Sequence, residues 1–284
     1  MSRARVLVID GNRAATRAAQ VAAGGSPTGE GYVRVLQQLA PLDCDIVRPA
    51  DGAVQWPAGV ALADYDGVAL TGSALNVYDG GAAIDRQIEL VRAVFAGGAP
   101  FFGSCWGMQV AVTAAGGRVR ANPLGREFGF ARRIALSAAG RAHALFRGKP
   151  AVFEAVTVHR DDIGELPAGA TVLASSDMGL QAVEMQCARS TVWAVQYHPE
   201  YGFAEIAATA QRYAPVLLEE KLFLDAAELD AWVAELRELQ RTPGDARLCW
   251  KHALGPGIRD ERAKLAELRN WVELQVLPRR RQRG

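Results

Sequence analysis

The run Val6-Leu7-Val8-Ile9, closed by Asp10-Gly11, constrains this chain more than any other feature. A strand with one wet face alternates apolar and polar residues, whereas a strand covered on both faces is apolar throughout. Residues 44–47, 66–70 and 100–104 read as further strands, and 191–197 returns to the same buried pattern. Helical spacing lies between them. A glycine-rich loop around Gly24, Gly25 and Gly29 leads to Val33, Leu36 and Leu39 on one face. Ile84, Ile88, Val91 and Phe95 line another face, and residues 106–115 form a third helix. Such alternation predicts an α/β fold, a mostly parallel open sheet with helices on both faces.

From Arg118 the rhythm changes. Residues 118–136, 152–158, 171–174 and 181–185 read as strands without long helices between them, antiparallel or mixed at one side of the sheet. After Tyr201 the chain turns helical, with Leu229, Trp232, Val233, Leu236 and Leu239, then Leu265, Leu268, Trp271 and Val272, at three- and four-residue steps. The expected division is a catalytic domain over 1–219 and a helical C-terminal extension over 220–284, packed on the core.

Composition mostly excludes. A formal net charge of +1 over 284 residues gives no reason to expect nucleic acid or an anionic membrane as partner. Arg279, Arg280, Arg281 and Arg283 form the one basic run and read as a frayed, solvated tail. Cys44, Cys105, Cys187 and Cys249 are scattered without a C-x-x-C pair, so neither a metal site nor a disulfide framework is expected. Reduced thiols fit a cytoplasmic location. Met1-Ser2-Arg3-Ala4-Arg5 runs into the first strand with no signal peptide, and no apolar stretch is of membrane-spanning length.

Two motifs carry chemistry. A cysteine after an apolar strand is usually a small buried hydrophobe. In Gly103-Ser104-Cys105-Trp106-Gly107, however, the flanking glycines permit a tight strand-to-helix turn that lifts Cys105 out of the fold. A helix starting at Trp106 aims its N-terminus at the sulfur, which favours a thiolate and offers N–H groups to an oxyanion. Downstream stands His198-Pro199-Glu200. Pro199 biases His198 toward extended backbone, and residues two apart in extended chain share a side. Glu200 is thereby placed to orient the His198 ring, and His198 to act as base for Cys105.

Gly103-Ser104-Cys105-Trp106-Gly107-Met108-Gln109, together with a later strand ending in His198-Pro199-Glu200, resembles the class I glutamine amidotransferases, with particular similarity to the amidotransferase domain of GMP synthetases. The resemblance spans about residues 5–205. Thr71-Gly72-Ser73, Gly125-Arg126-Glu127-Phe128-Gly129 and Val158-His159-Arg160-Asp161 support it.

The resemblance implies a flavodoxin-like fold. It also implies that Cys105 forms a γ-glutamyl thioester with L-glutamine, His198 moves the proton, and Glu200 orients His198. The N–H groups of Trp106 and of Gly72 or Ser73 form the oxyanion hole, Gln109 contacts the substrate, and Phe128 and Gly129 contact its amino acid head group through their backbone. No cofactor is implied.

Two departures stand out. Trp106 is bulkier than the usual residue there, and Arg160 replaces a usual glycine. No Ser-Gly-Gly-x-Asp-Ser or G-x-x-x-x-G-K-[ST] phosphate loop occurs, so ammonia would pass to a separate synthase subunit or leave. The alternatives are a γ-glutamyl peptidase or hydrolase of the same fold, and a non-catalytic regulatory relative. The oligomeric state is open.

Overall fold

The computed structural model describes residues 3–283; Met1, Ser2 and Gly284, the ends of the two expected segments, lie outside the described residues. Among the described residues, eleven strands form two sheets. They are β1 Ala4–Ile9, β2 Leu42–Val47, β3 Gly67–Leu70, β4 Phe101–Ser104, β5 Arg118–Ala121, β6 Glu127–Leu136, β7 Val152–His159, β8 Asp161–Glu165, β9 Thr171–Ser176, β10 Gly179–Cys187 and β11 Ser190–Val195. The main sheet runs β2-β1-β3-β4-β11-β10-β9-β6-β7, and β5 pairs with β8 in a separate antiparallel ribbon. The first five strands in that order are mutually parallel, and the other four continue antiparallel.

The helices before the C-terminal segment are α1 Ala14–Ala22, α2 Thr28–Leu39, α3 Ala82–Gly97, α4 Trp106–Ala114, α5 Ala138–Ala142, α6 Phe203–Arg212 and α7 Ala214–Glu219. Then come α8 Ala226–Arg241, α9 Ala246–Lys251, α10 Pro256–Arg259, α11 Glu261–Lys264, α12 Ala266–Trp271, a π turn Val272–Val276 and α13 Leu277–Arg283.

Alternation within the parallel strands divides the core in two. Leu7, Ile9, Val68, Leu70 and Phe101 pack with Val91, Val94 and Phe95 of α3 and Val110 of α4. Val6, Val8, Ala69 and Phe102 face the other way, toward Tyr32 and Leu36 of α2 and toward Leu268, Trp271, Val272 and Val276. The end of the chain thus closes one face of the sheet, with Phe102 and Trp271 ring centroids 5.8 Å apart. Fully burying Leu268 or Val272 is worth about 1.5–3 kcal/mol each. A third cluster joins Val156 of β7 and Phe203 and Ile206 of α6 to Leu229, Val233, Leu236 and Leu239 of α8.

Several expectations need correction. The basic tail is not frayed. In α13, Arg279 donates to the Gly98 carbonyl at 2.5 Å, and Arg283 reaches the carbonyls of Ala63 and Tyr65 and the Asp66 carboxylate. The segment 118–136 is two strands in different sheets. A helix, α1, precedes the glycine-rich loop, and Gly29 lies inside α2 rather than in that loop. Among the described residues no helix is long and apolar enough to cross a membrane.

Candidate active site

Strand β4 ends at Ser104 and α4 begins at Trp106, so Cys105 alone makes the turn. Its φ of 53° and ψ of −105° are a left-handed setting, which costs a non-glycine residue about 1–3 kcal/mol. Two glycines let the chain fold this tightly. A Cβ on Gly103 would stand 2.5 Å from the Gly107 carbonyl carbon, and one on Gly107 would collide with the Leu70 carbonyl. The Cys105 N–H is held by the Val195 carbonyl at 2.8 Å, which ties the turn to the end of β11.

From Val195 the chain runs through Gln196 and Tyr197 to His198, whose N–H bonds the Val156 carbonyl at 2.8 Å. The two neighbouring strand ends therefore bring Cys105 and His198 together at the C-terminal edge of the parallel sheet, where open α/β sheets form their crevices. His198 Nδ1–H donates to Glu200 Oε1 at 2.8 Å, with both side chains buried. Burial disfavours the imidazolium. The charges and hydrogen bonds of Glu200 and Cys105 outweigh it and push His198 up from 6.5 to about 10. The Cys105 sulfur also lies 3.4 Å from the Val158 carbonyl oxygen.

Two neighbours fix the ring. Tyr201 stacks on it with centroids 4.1 Å apart. Gly72 comes so close that a Cβ there would lie 2.5 Å from His198 Cε1. The Trp106 N–H opens α4 and so lacks an intrahelical partner. Among the described residues, the N–H groups of Gly72 and Ser73 also donate to nothing.

In front of the sulfur is a narrow cavity of about 30 Å³, lined by Ser73, Gln109, Arg126, Val158, Arg160 and Asp161 among others. That is about one water's share of volume. Beyond Glu200 lies a larger cavity of about 490 Å³. Among the described residues no group of three or more His, Cys, Asp or Glu side chains is placed to hold a metal ion.

A family model for glutamine amidotransferase class-I matches residues 32–208. The chain belongs to the class I glutamine amidotransferases. It is 32% identical over 286 residues to a γ-glutamyl-L-1-hydroxyisopropylamide hydrolase from a Pseudomonas species, covering 98% of this chain and 95% of that protein. It is 34% identical over 160 residues to a GMP synthase from Leifsonia xyli, covering 56% of this chain and 29% of that one. In fold it matches a glutamine amidotransferase from Thermotoga maritima with a TM-score of 0.63 at 20% identity, covering 97% and 99% of the two chains.

Within this amidotransferase fold, Gln109 lines the cavity, and its side-chain amide has no hydrogen-bond partner among the described residues. Ser73 also lines it, with its hydroxyl donating to the Gly11 carbonyl at 2.9 Å. Trp106 is wholly buried, and its Nε1–H donates to Gln87 at 2.8 Å, so the bulky ring fills the core beneath the turn rather than the cavity rim. Phe128 and Gly129 are not brought to the cavity. The Phe128 ring packs on Trp232 at 5.8 Å, and Gly129 pairs with Thr157 inside the β6–β7 ladder.

In the fold Arg126 binds Glu220 through two nitrogens, at 2.8 and 3.2 Å. Glu127 accepts from His159 Nε2 at 2.8 Å, and His159 Nδ1 donates to the Asp161 carbonyl at 2.9 Å. Burial raises the Asp161 carboxyl, against the pull of the Tyr78 hydroxyl and of His159, Arg160 and Arg126. The signal for Arg126, Arg160 and Asp161 lay in their motifs, but their convergence on one cavity depends on the β6–β7–β8 path.

Proposed function

We propose that the protein hydrolyses the γ-glutamyl amide bond of a small γ-glutamyl amide through a thioester on Cys105. With His198 held as the imidazolium, the proton of Cys105 already rests on the ring, and the sulfur attacks the γ-carbonyl carbon as the thiolate. The oxyanion rests on the N–H of Trp106 and that of Gly72 or Ser73. His198 then returns the proton to the departing amine and activates the water that releases glutamate. Glu200 keeps Nδ1 protonated, so that Nε2 is the nitrogen that works. The raised imidazolium of His198 supports this reading, because a base held charged beside a sulfur is the arrangement that makes a thiolate nucleophile.

The glutamyl head group carries an ammonium and a carboxylate. The cavity lining offers Asp161 to the first and Arg126, Arg160 and the unengaged amide of Gln109 to the second. Arg160 thereby takes part where a glycine would contribute backbone alone.

The observation that carries the choice of substrate class is likeness along the whole chain. The match to the γ-glutamyl-hydroxyisopropylamide hydrolase covers 98% of this chain and 95% of that protein, whereas GMP synthase matches cover 56%, 72% or 75% of this chain and 29%, 38% or 37% of those proteins. The second reading, favoured by the family itself, is a glutaminase that passes ammonia to a separate synthase. A panel of L-glutamine, γ-glutamyl alkylamides and γ-glutamyl peptides, with glutamate and amine or ammonia measured, separates the two. Faster release of an alkylamine than of ammonia is expected; turnover of glutamine alone contradicts the proposal.

A further inference from the structure

The carboxylate of Glu200 is only half used. Oε1 accepts from His198, while Oε2 is buried and has no hydrogen-bond partner among the described residues. That unused oxygen belongs to a residue lining the 490 Å³ cavity. The C-terminal segment contributes Ile258, Arg259, Glu261 and Lys264 to the lining of that cavity.

Charge makes the unused oxygen matter. With a thiol and a neutral imidazole, the Cys105–His198–Glu200 group carries one negative charge. With a thiolate and an imidazolium it carries one as well. Moving the proton between sulfur and nitrogen never cancels it, and a buried charge needs an opposite one nearby. Lining the same cavity as Glu200 are Tyr201, Tyr32 of α2 and Lys264 of α11, while His198 on its own segment holds its other oxygen. Neither tyrosine brings a positive charge. The cavity also holds Arg34, Arg259, Glu205 and Glu261. Arg34 donates to the Ser26 hydroxyl, and Glu205 accepts from the Ser26 N–H and from Gln20. Lys264 forms no salt bridge among the described residues. Burial lowers its ammonium, while the carboxylates of Glu261 and Glu200 act to keep it charged.

We propose that Lys264 is a positioning residue, whose ammonium answers the unused oxygen of Glu200 across this cavity and so sets the charge state of the Cys105–His198 pair. This rests on the reading of those three side chains as one working group, but not on the identity of the substrate. It gives the C-terminal segment a part in the chemistry: it delivers a cation to the back of the site.

The test reads the thiol directly. The rate of Cys105 alkylation by iodoacetamide, mapped by mass spectrometry, is followed against pH in the wild type, Lys264→Met and Lys264→Arg. Loss of the cation leaves the group's negative charge less compensated and makes its ionisation harder. The midpoint of the alkylation curve should therefore rise in Lys264→Met by about half a pH unit or more. It should return toward the wild-type position in Lys264→Arg. Lys264→Gln repeats the test should the Met variant fail to fold. A residue that only supported the fold would change thermal stability and leave the midpoint where it was. Superposable curves in wild type and Lys264→Met, or equal shifts in the Met and Arg variants, overturn the proposal. If Cys105 alkylates normally in every variant but no γ-glutamyl amide is turned over, the substrate assignment fails by itself.

Discussion

The Tyr197 hydroxyl donates to Glu267 at 2.5 Å in a wholly buried position, which joins the residue before His198 to helix α12. Lys149 completes the arrangement, with its ammonium 3.0 Å from the same carboxylate oxygen and 4.3 Å from the Phe153 ring centroid. Burial, then the charge and hydrogen bond of Glu267, lift the Tyr197 hydroxyl well above its usual value, so it stays a donor. Glu267→Ala would strand a buried Lys149 and leave Tyr197 without its acceptor. The expected loss is about 3–5 kcal/mol of stability, read from urea unfolding. An unchanged midpoint would mean that the C-terminal helix is not anchored through this pair.

Gly72 leaves the His198 ring no spare room. In Gly72→Ala the new methyl must push the imidazole aside, and a shift of about 1 Å in a catalytic group costs on the order of a hundredfold in rate. The fold should survive, with melting lowered by only about 2–4 °C. Activity close to wild type would show that the ring position is not critical.

Arg126 serves the head-group reading. Arg126→Ala should raise KM by roughly 10–100-fold with little change in kcat, the loss of a charge-assisted bond made equally to substrate and transition state. Steady-state kinetics on a γ-glutamyl amide decides it. A fall confined to kcat would move Arg126 from binding to chemistry.

The His198 proton is linked to stability. Against burial, which disfavours its charge, Glu200 and Cys105 hold its folded value near 10, above the unfolded 6.5. The folded protein keeps a proton that the unfolded chain loses. The resulting stability is complete below pH 6.5 and is lost as pH rises through about 10. Urea midpoints should therefore fall more steeply over that window in the wild type than in His198→Gln. Parallel curves would contradict the charged resting ring.

The parallel half of the sheet was legible because both-face burial writes itself as unbroken apolar runs such as Val6–Ile9. The turn at Cys105 was legible because glycines at 103 and 107 have few other uses around a cysteine. Helix α1 was not, since its one buried residue is Gln20 and its alanines carry no periodicity. Strand β8 reads as polar because only Asp161 and Ile163 face inward. The Lys149–Glu267–Tyr197 contact and the role of Arg283 join residues far apart in the chain, and no local pattern marks a charge that will be buried. Phe128 and Gly129 came from resemblance alone, as backbone contacts; no local pattern marked that the Phe128 ring would pack on Trp232 of the C-terminal segment. We propose that residues 220–284 are not a separable unit. Trp271 and Val276 in the sheet's own core argue that they fold only with it.

The most direct test of the account is to stop the reaction with acid during turnover of a γ-glutamyl anilide, digest the protein and weigh the peptide that carries Cys105. The expected result is one added glutamyl group on Cys105 that base or hydroxylamine removes, absent in Cys105→Ala together with all turnover. Sustained hydrolysis by Cys105→Ala, or a glutamyl group on any other residue, would contradict it.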